Sequence, residues 1–171
     1  MTSDDRLILT AQPLTADAFA SYGDVIAARG DASTITTTIN QGMGNRCQDL
    51  AKVDVAAYGG RAAISVIRCI PESLPIHLRL MERHPLGSQA FVPLNGQRYV
   101  VVVAPAGAPP ARDELRAFLC RGDQGVNYHR GTWHHPMLAL DRECDFAEFH
   151  RAGPGTNCDE APLPCAIVVQ I

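Results

Sequence analysis

The segment Met81–Gly96 reads MERHPLGSQAFVPLNG and follows a run, Ile76–Leu80, in which polar and apolar residues alternate. This alternation is typical of a β-strand with one buried face. If it continues, the face that carries the leucines also carries Glu82 and His84. Because an unpaired buried carboxylate is strongly destabilising, we expect Glu82 to have a partner: a metal, a base, an arginine or a substrate.

The composition indicates one domain, spanning residues 1–171. The chain has 171 residues and a formal net charge of −3, and it contains no apolar run long enough for a transmembrane helix. The first residues, MTSDDR, do not resemble a secretory leader, and no basic run indicates nucleic-acid binding. We therefore expect a cytoplasmic protein with neither a nucleic acid nor a membrane as partner.

The cysteines indicate free thiols. They are scattered without a CxxC pair, which in a cytosolic protein favours unpaired, mostly buried side chains over disulfides or zinc. The six are Cys47, Cys69, Cys120, Cys144, Cys158 and Cys165.

Most of the remaining chain is strand-like. A short helix is expected from Thr15 to Ala20 and a second over Asp113–Cys120. Asn95-Gly96 predicts a hairpin turn, and the tail is expected to wrap the surface, with Ala166–Ile171 as an edge strand or in contact with a partner subunit. Strands are expected at Ala62–Ile70, Ile76–His84, Gln89–Leu94, Gln97–Ala104 and Asp145–Arg151. The sequence thus predicts an all-β sandwich or closed barrel with one or two short peripheral helices.

Two segments are dense in polar and ligand-type side chains, and their spacing resembles the two motifs of the cupin family of jelly-roll barrels. The first of those motifs usually reads His-x-His, three or four residues, Glu, six residues, Gly; the second reads Pro-x-Gly-x-x-His. In this chain the corresponding positions are Glu82, His84, Gln89 and Gly96, then His129, Gly131 and His134.

The cupin resemblance implies a divalent first-row metal bound by Glu82, His84, Gln89 and His134. Gln89 is a weaker ligand than the usual glutamate. Other polar residues have ordinary structural explanations. His77 is expected to face solvent, and His150 to be structural. His135 is expected in the core or behind the site, and Trp133 in the core or the pocket wall.

Longer segments resemble the ureidoglycolate lyase family over nearly the whole chain. They are ERHPLGSQAF at 82–91, LRAF at 115–118, QGVNYH at 124–129 and WHHP at 133–136. The resemblance implies a homodimeric cupin-type enzyme of allantoin breakdown, associated with nickel, that cleaves (S)-ureidoglycolate to glyoxylate and urea. The chain departs from the usual pattern at Asn45–Asp49, where NRCQD replaces Glu-Arg-aromatic-His-Asp, at HRAG in 150–153, and in the tail after Asp159.

The residues can be assigned to this chemistry. Proton transfers at the small anionic substrate would fall to the catalytic group Glu82, His84, His129 and His134. Arg46 or Arg83 would bind the carboxylate. Arg83 would point outward in a regular strand, although Pro85 can interrupt the alternation. Neutral hydrogen bonds to the ureido group would come from Ser88, Gln89, Asn127 and Tyr128.

Two other functions fit the same residues. A hydrolase that releases ammonia from ureidoglycolate would need a water molecule activated by a firmly bound metal. A non-catalytic cupin would bind a small carboxylate, and the altered loop Asn45–Asp49 is compatible with that.

Overall fold

The computed structural model describes residues 6–28 and 35–171, apart from the side chains of Pro164 and Cys165. Its one α-helix in this part of the chain, α1 (Ala16–Phe19), begins as expected at Thr15, whose side chain accepts a hydrogen bond from the amide of Ala18 at 3.2 Å. The strands are β1 (Leu7–Thr10), β2 (Gln12–Pro13), β3 (Gly23–Ala27), β4 (Thr36–Ile39), β5 (Gly44–Cys47), β6 (Arg61–Cys69), β7 (Ile76–Arg83), β8 (Gln89–Pro93), β9 (Tyr99–Ala104), β10 (Arg116–Cys120), β11 (Gln124–Tyr128), β12 (Trp133–His134), β13 (Leu138–Ala139), β14 (Cys144–Ala152) and β15 (Asp159–Gln170).

The strands form two main sheets. The larger has the order β1-β15-β7-β12-β9-β10-β2, with β13 also paired to β9, and the smaller has the order β3-β11-β8-β14-β6. The strands β4 and β5 form a separate ribbon. The larger sheet curves until it is nearly closed, and the predicted all-β, cupin-type jelly-roll barrel with short peripheral helices is confirmed.

The strand β9 of the larger sheet is buried on both faces. Tyr99, Val101 and Val103 of β9 pack in a core that also contains Phe91 of β8, in the smaller sheet; we call this the inter-sheet core. Val100 and Val102 pack in a second core on the opposite face of β9. The sequence of β9, YVVVVA, is continuously apolar because neither face meets water.

The predicted helix over Asp113–Cys120 is wrong. Residues Arg112–Glu114 form a short 3-10 turn, and Arg116–Cys120 is a strand, β10, paired with β9. Ala117 lies in the second core, whereas Phe118 lies in the inter-sheet core. A strand buried on both faces lacks the polar alternation that would distinguish it from a short buried helix.

Asn95-Gly96 does not close a hairpin. Gly96 has the positive φ of 70° that favours glycine, so the chain does turn there. However, β8 belongs to the smaller sheet and β9 to the larger. The turn therefore carries the chain from one sheet to the other, and strand pairing is decided by packing beyond the turn.

The tail is also more central than expected. The strand β15 lies between β1 and β7, where Ile167, Val168 and Val169 are buried. It is an internal strand of the larger sheet and not an edge strand.

The alternation of β7 is not continuous. Leu78 and Met81, three positions apart, both contribute to the second core. A regular strand would place Glu82 on the same face as Leu78, but the shift in alternation places it on the other face. There Glu82 lies opposite His134 of β12.

The five cysteines whose side chains are described are all free, and Cys165 lies outside the described side chains. Cys120 and Cys144 are buried, while Cys158 is exposed. Among the described residues, no helix has the length and apolar character needed to span a bilayer.

Candidate active site

Three side chains from the two motifs converge. Glu82 on β7 pairs in register with His134 on β12, and Oε1 of Glu82 lies 3.3 Å from Nε2 of His134. Nε2 of His84 is 4.0 Å from the same oxygen. The ligand atoms of all three residues lie within 4.8 Å of one another. We call Glu82, His84 and His134 the convergent group.

Packing fixes the position of His134. Its ring stacks on Tyr128 with a centroid distance of 4.1 Å and an interplanar angle of 11°, and the residue is 1% exposed. Because successive side chains of a strand point to opposite faces, Trp133 points away, into the second core. The two-residue strand β12 thus places the imidazole on the side of the inter-sheet core.

Backbone carbonyls decide which ring nitrogens carry hydrogen. Nδ1 of His84 lies 2.5 Å from the carbonyl oxygen of Asn157, and Nδ1 of His134 lies 3.0 Å from that of Thr132. Since a carbonyl only accepts hydrogen bonds, each Nδ1 must be the donor. In the neutral rings the lone pairs are then on the Nε2 atoms, both buried without a hydrogen-bond partner among the described residues.

The charges follow from the surroundings. Burial lowers the pKa of His134, which favours the neutral ring. The adjacent His134 lowers the pKa of Glu82 despite the opposing effect of burial, which favours the carboxylate form. When both rings are neutral, the convergent group presents a carboxylate oxygen and two imidazole lone pairs to one region.

This donor set fits a divalent first-row metal. Two imidazoles and a carboxylate are common ligands of such ions, and metal-binding histidines usually donate their other N–H to a carbonyl or carboxylate, as both do here. A lone pair on His134 facing a carboxylate oxygen at 3.3 Å is favourable only with a positive charge between them. Glu82, His84 and His134 could hold such an ion.

Gln89 stands apart from this set in its contacts. Its Nε2 donates to Oε1 of Glu148 at 2.7 Å, deep between the sheets. Glu82 also belongs to a second group, with Cys158 and Glu160, whose ligand atoms lie within 4.8 Å of one another.

The structure does not bring His129 into the convergent group. Nε2 of His129 lies 3.0 Å from Oδ1 of Asp24, and the amide of Asn127 donates to Oδ2 of Asp24 at 2.8 Å. Val126 and Tyr128 point into the inter-sheet core, so Asn127, between them, points to the opposite face of the smaller sheet. Two residues predicted at the pocket thus belong to a cluster around Asp24.

The remaining predicted substrate-binding residues have other partners. The hydroxyl of Ser88 accepts a hydrogen bond from the backbone amide of Asp54 at 2.8 Å. Arg83 donates to Asp159 at 2.8 Å, and its guanidinium lies 4.8 Å from the ring centroid of Trp133. Arg46 is exposed on β5.

The other histidines lie largely where the sequence suggested. His77 is exposed, and His135 is 9% exposed, with Nδ1 bonded to the carbonyl of Pro136. His150 contacts a buried carboxylate: its Nδ1 is 3.2 Å from Oε2 of Glu148.

Sequence reasoning missed two acids with central positions, Asp24 and Glu148. The signal for Glu148 was present, because it falls on the apolar face of an alternating strand, in phase with the buried Phe146. Nothing local distinguishes Asp24, whose two side-chain partners, Asn127 and His129, are 103 and 105 positions away.

The chain is similar to known proteins over nearly its whole length. The profile described as "Ureidoglycolate lyase" matches residues 6–170. A ureidoglycolate lyase of Burkholderia cepacia is 53% identical over 160 residues, covering 93% of this chain and 88% of that protein. One from Pseudomonas putida is 47% identical over 152 residues, covering 89% of both chains. The chain belongs to the ureidoglycolate lyase family.

Proposed function

We propose that the protein is a lyase that cleaves (S)-ureidoglycolate to glyoxylate and urea, in the allantoin branch of purine nitrogen catabolism. The observation that carries the proposal is the convergence of Glu82, His84 and His134 in a chain of this family. The name of the curated relatives supports the same substrate.

The reaction sets clear demands. One carbon of ureidoglycolate bears a hydroxyl, a carboxylate and the ureido nitrogen. The carbon–nitrogen bond breaks, the hydroxyl oxygen loses its proton and becomes the aldehyde oxygen, and the nitrogen gains a proton. No water is consumed. A site therefore needs groups that accept a proton from oxygen and supply one to nitrogen, each worth about 10²–10⁴-fold in rate.

The convergent group has the required character. The Nε2 lone pairs of His84 and His134 are free to accept the hydroxyl proton, because each Nδ1–H is already bonded to a carbonyl. The Glu82 carboxylate, 3.3 Å from Nε2 of His134, stabilises an imidazolium formed there. The proton is then returned to the ureido nitrogen as the bond breaks.

The same residues would alternatively hold a divalent cation, which the family resemblance suggests to be nickel; the Nε2 lone pairs of His84 and His134 would then be ligands of the ion and not proton acceptors. Such a cation would supply positive charge that stabilises the deprotonated hydroxyl oxygen. The bonds from the two Nδ1 atoms to the carbonyls of Asn157 and Thr132 would keep the ligand rings oriented.

A product assay tests the proposal. Purified protein is incubated with (S)-ureidoglycolate, and urea, ammonia and glyoxylate are measured. Equal urea and glyoxylate without ammonia is the expected result. Ammonia would instead indicate a hydrolase, and no product would indicate a non-catalytic cupin that binds a small carboxylate.

A pair of variants tests the role of the convergent group in this activity. Glu82→Gln should lose the activity, whereas His77→Asn, at an exposed position on the same strand, is the matched control and should keep it.

We also propose a homodimer. Besides the family resemblance, the edge strand β6 supports the dimer: Ile64 and Val66 on this strand are 69% and 66% exposed, and Ile70, directly after it, is 75% exposed. Exposed apolar patches of this kind mark interaction surfaces. Sedimentation should give a dimer for the wild type and a monomer for the Ile64→Lys, Val66→Lys variant. A monomeric wild type would contradict the proposal.

A cytoplasmic location is proposed as well. It is supported by the free thiols of the five described cysteines, since unpaired cysteines are typical of reducing compartments. Cell fractionation tests it, and recovery from an oxidising compartment would contradict it.

A further inference from the structure

A second polar group lies between the sheets and takes no part in the chemistry above. Its centre is Glu148 on β14, which is 8% exposed. Glu148 pairs in register with Phe91, and Phe91 packs in the inter-sheet core, as does Phe146, two positions before Glu148. A carboxylate enclosed in this way requires polar partners.

Both carboxylate oxygens of Glu148 have a nitrogen neighbour. Nε2 of Gln89 donates to Oε1 at 2.7 Å. Nδ1 of His150 lies 3.2 Å from Oε2. Gln89 on β8 therefore holds Glu148 by a hydrogen bond, whereas His150 lies beside it without forming one.

This arrangement fixes the direction of the Gln89 amide. A carboxylate only accepts hydrogen bonds, so the end of the amide that faces Glu148 must be the NH₂ group. The carbonyl oxygen must then point elsewhere. Gln89 is 8% exposed, and its Oε1 is buried without a hydrogen-bond partner among the described residues.

The free oxygen belongs to a residue beside the convergent group. Gln89 pairs in register with Tyr128, and directly opposed residues of antiparallel strands lie on one face, close enough for their side chains to touch. Tyr128 stacks on His134 at 4.1 Å. One aromatic ring therefore separates Gln89 from a member of the convergent group.

We propose that Glu148 is a positioning residue that holds the Gln89 amide so that its oxygen accepts an N–H of the substrate's ureido group. The inference rests on the proposed function and adds how the site recognises its substrate class, compounds with a carbamoyl N–H donor. A buried acceptor left unpaired disfavours analogues that lack the donor.

Binding of hydantoate tests this without turnover. Hydantoate is ureidoglycolate without the hydroxyl, so it keeps the ureido group but cannot be cleaved. Calorimetry would compare the wild type, Glu148→Gln, Gln89→Met and the double variant. The matched control is Glu143→Gln, just before the same strand, with a side chain 58% exposed. Thermal unfolding of each variant would report folding separately.

We expect Glu148→Gln and Gln89→Met each to weaken hydantoate binding about tenfold or more, in line with the loss of one buried hydrogen bond. Because Glu148 acts through Gln89, the double variant should bind no more weakly than Gln89→Met alone. Glu143→Gln should bind as the wild type does. If Glu148→Gln fails to fold, Glu148→Asp, whose shorter side chain withdraws the carboxylate from Gln89, takes its place in the cycle.

Three results would overturn the inference: no hydantoate binding by the wild type, binding by Glu148→Gln unchanged from it, or losses that multiply in the double variant. The proposed function fails by a different result, the absence of urea from ureidoglycolate. Since the hydantoate cycle requires no turnover, the two failures are distinguishable.

Discussion

Glu82 and His134 face each other on neighbouring strands, and Oε1 of the first lies 3.3 Å from Nε2 of the second. The two residues are 52 positions apart in the sequence, so only the pairing of β7 with β12 brings them together. The contact places a carboxylate oxygen next to an imidazole nitrogen. The acid–base role and the metal site proposed for these residues both depend on this contact.

The histidines of the second motif should differ in importance. His134→Asn should reduce kcat/KM for ureidoglycolate by about 10²-fold or more, because it removes a proton-transfer group. His129→Asn should cost much less, because His129 contacts Asp24 outside the convergent group. Steady-state kinetics on both variants check this. Equal losses would mean that His129 reaches the reacting atoms.

Divalent cation binding should depend on the convergent group. Titration of metal-free protein with Ni²⁺ should show one site per chain, and Glu82→Ala should weaken it by about tenfold or more, because a ligand is lost. His77→Asn is the control for adventitious binding to a surface imidazole. A site that survives in Glu82→Ala with unchanged affinity would lie elsewhere.

The cluster around Asp24 should give a pH-dependent contribution to stability. Burial raises the pKa of Asp24, but hydrogen bonds from Asn127, the amide of Lys52 and His129 outweigh it and lower the pKa overall. A carboxyl whose pKa falls on folding stabilises the protein above its unfolded pKa, about 3.9, and this stabilisation is lost as the pH falls through the folded pKa.

The free energy of unfolding of the wild type should therefore exceed that of Asp24→Asn at pH 7, and the difference should shrink as the pH approaches 3. Urea unfolding at several pH values measures it. A difference that stays constant or grows on acidification would show that the Asp24 carboxylate is not stabilised by these partners.

The inter-sheet core should be sensitive to truncation at Phe146. This side chain is fully buried, with its ring centroid 4.9 Å from that of Tyr99. Phe146→Ala should lower the free energy of unfolding by about 3–5 kcal/mol. Phe149→Ala, on the same strand but the opposite face and only partly buried, should cost less. Equal costs would contradict the assignment of faces.

The sequence carried enough information to predict the class of fold and the convergence of three candidate site residues. Short alternating strands predicted the barrel, and the spacing of Glu82, His84 and His134 predicted their convergence. The sequence did not reveal which residues of β7 share a face, because Leu78 and Met81, an odd number of positions apart, lie in the same core. Only packing against neighbouring strands reveals that the alternation shifts between them.

Other errors share one physical cause. Arg116–Cys120 is a strand because β9 pairs with it and both of its faces are buried. Local helix propensity cannot register such a partner. His129 and Asn127 appeared to belong with His134 because they are close in sequence. Their hydrogen bonds to Asp24 depend on β3 pairing with β11, a contact that residue spacing does not encode.

The proposed chemistry requires Glu82, His84 and His134 to act as one unit, and a comparison of kcat/KM for the three single variants with the triple variant tests this directly. Groups that act as a unit show strongly non-additive losses. Glu82→Gln, His84→Asn and His134→Asn should each lose nearly as much activity as the triple variant, while all remain folded. Losses that multiply from one variant to the next, or a single variant with full activity, would contradict it.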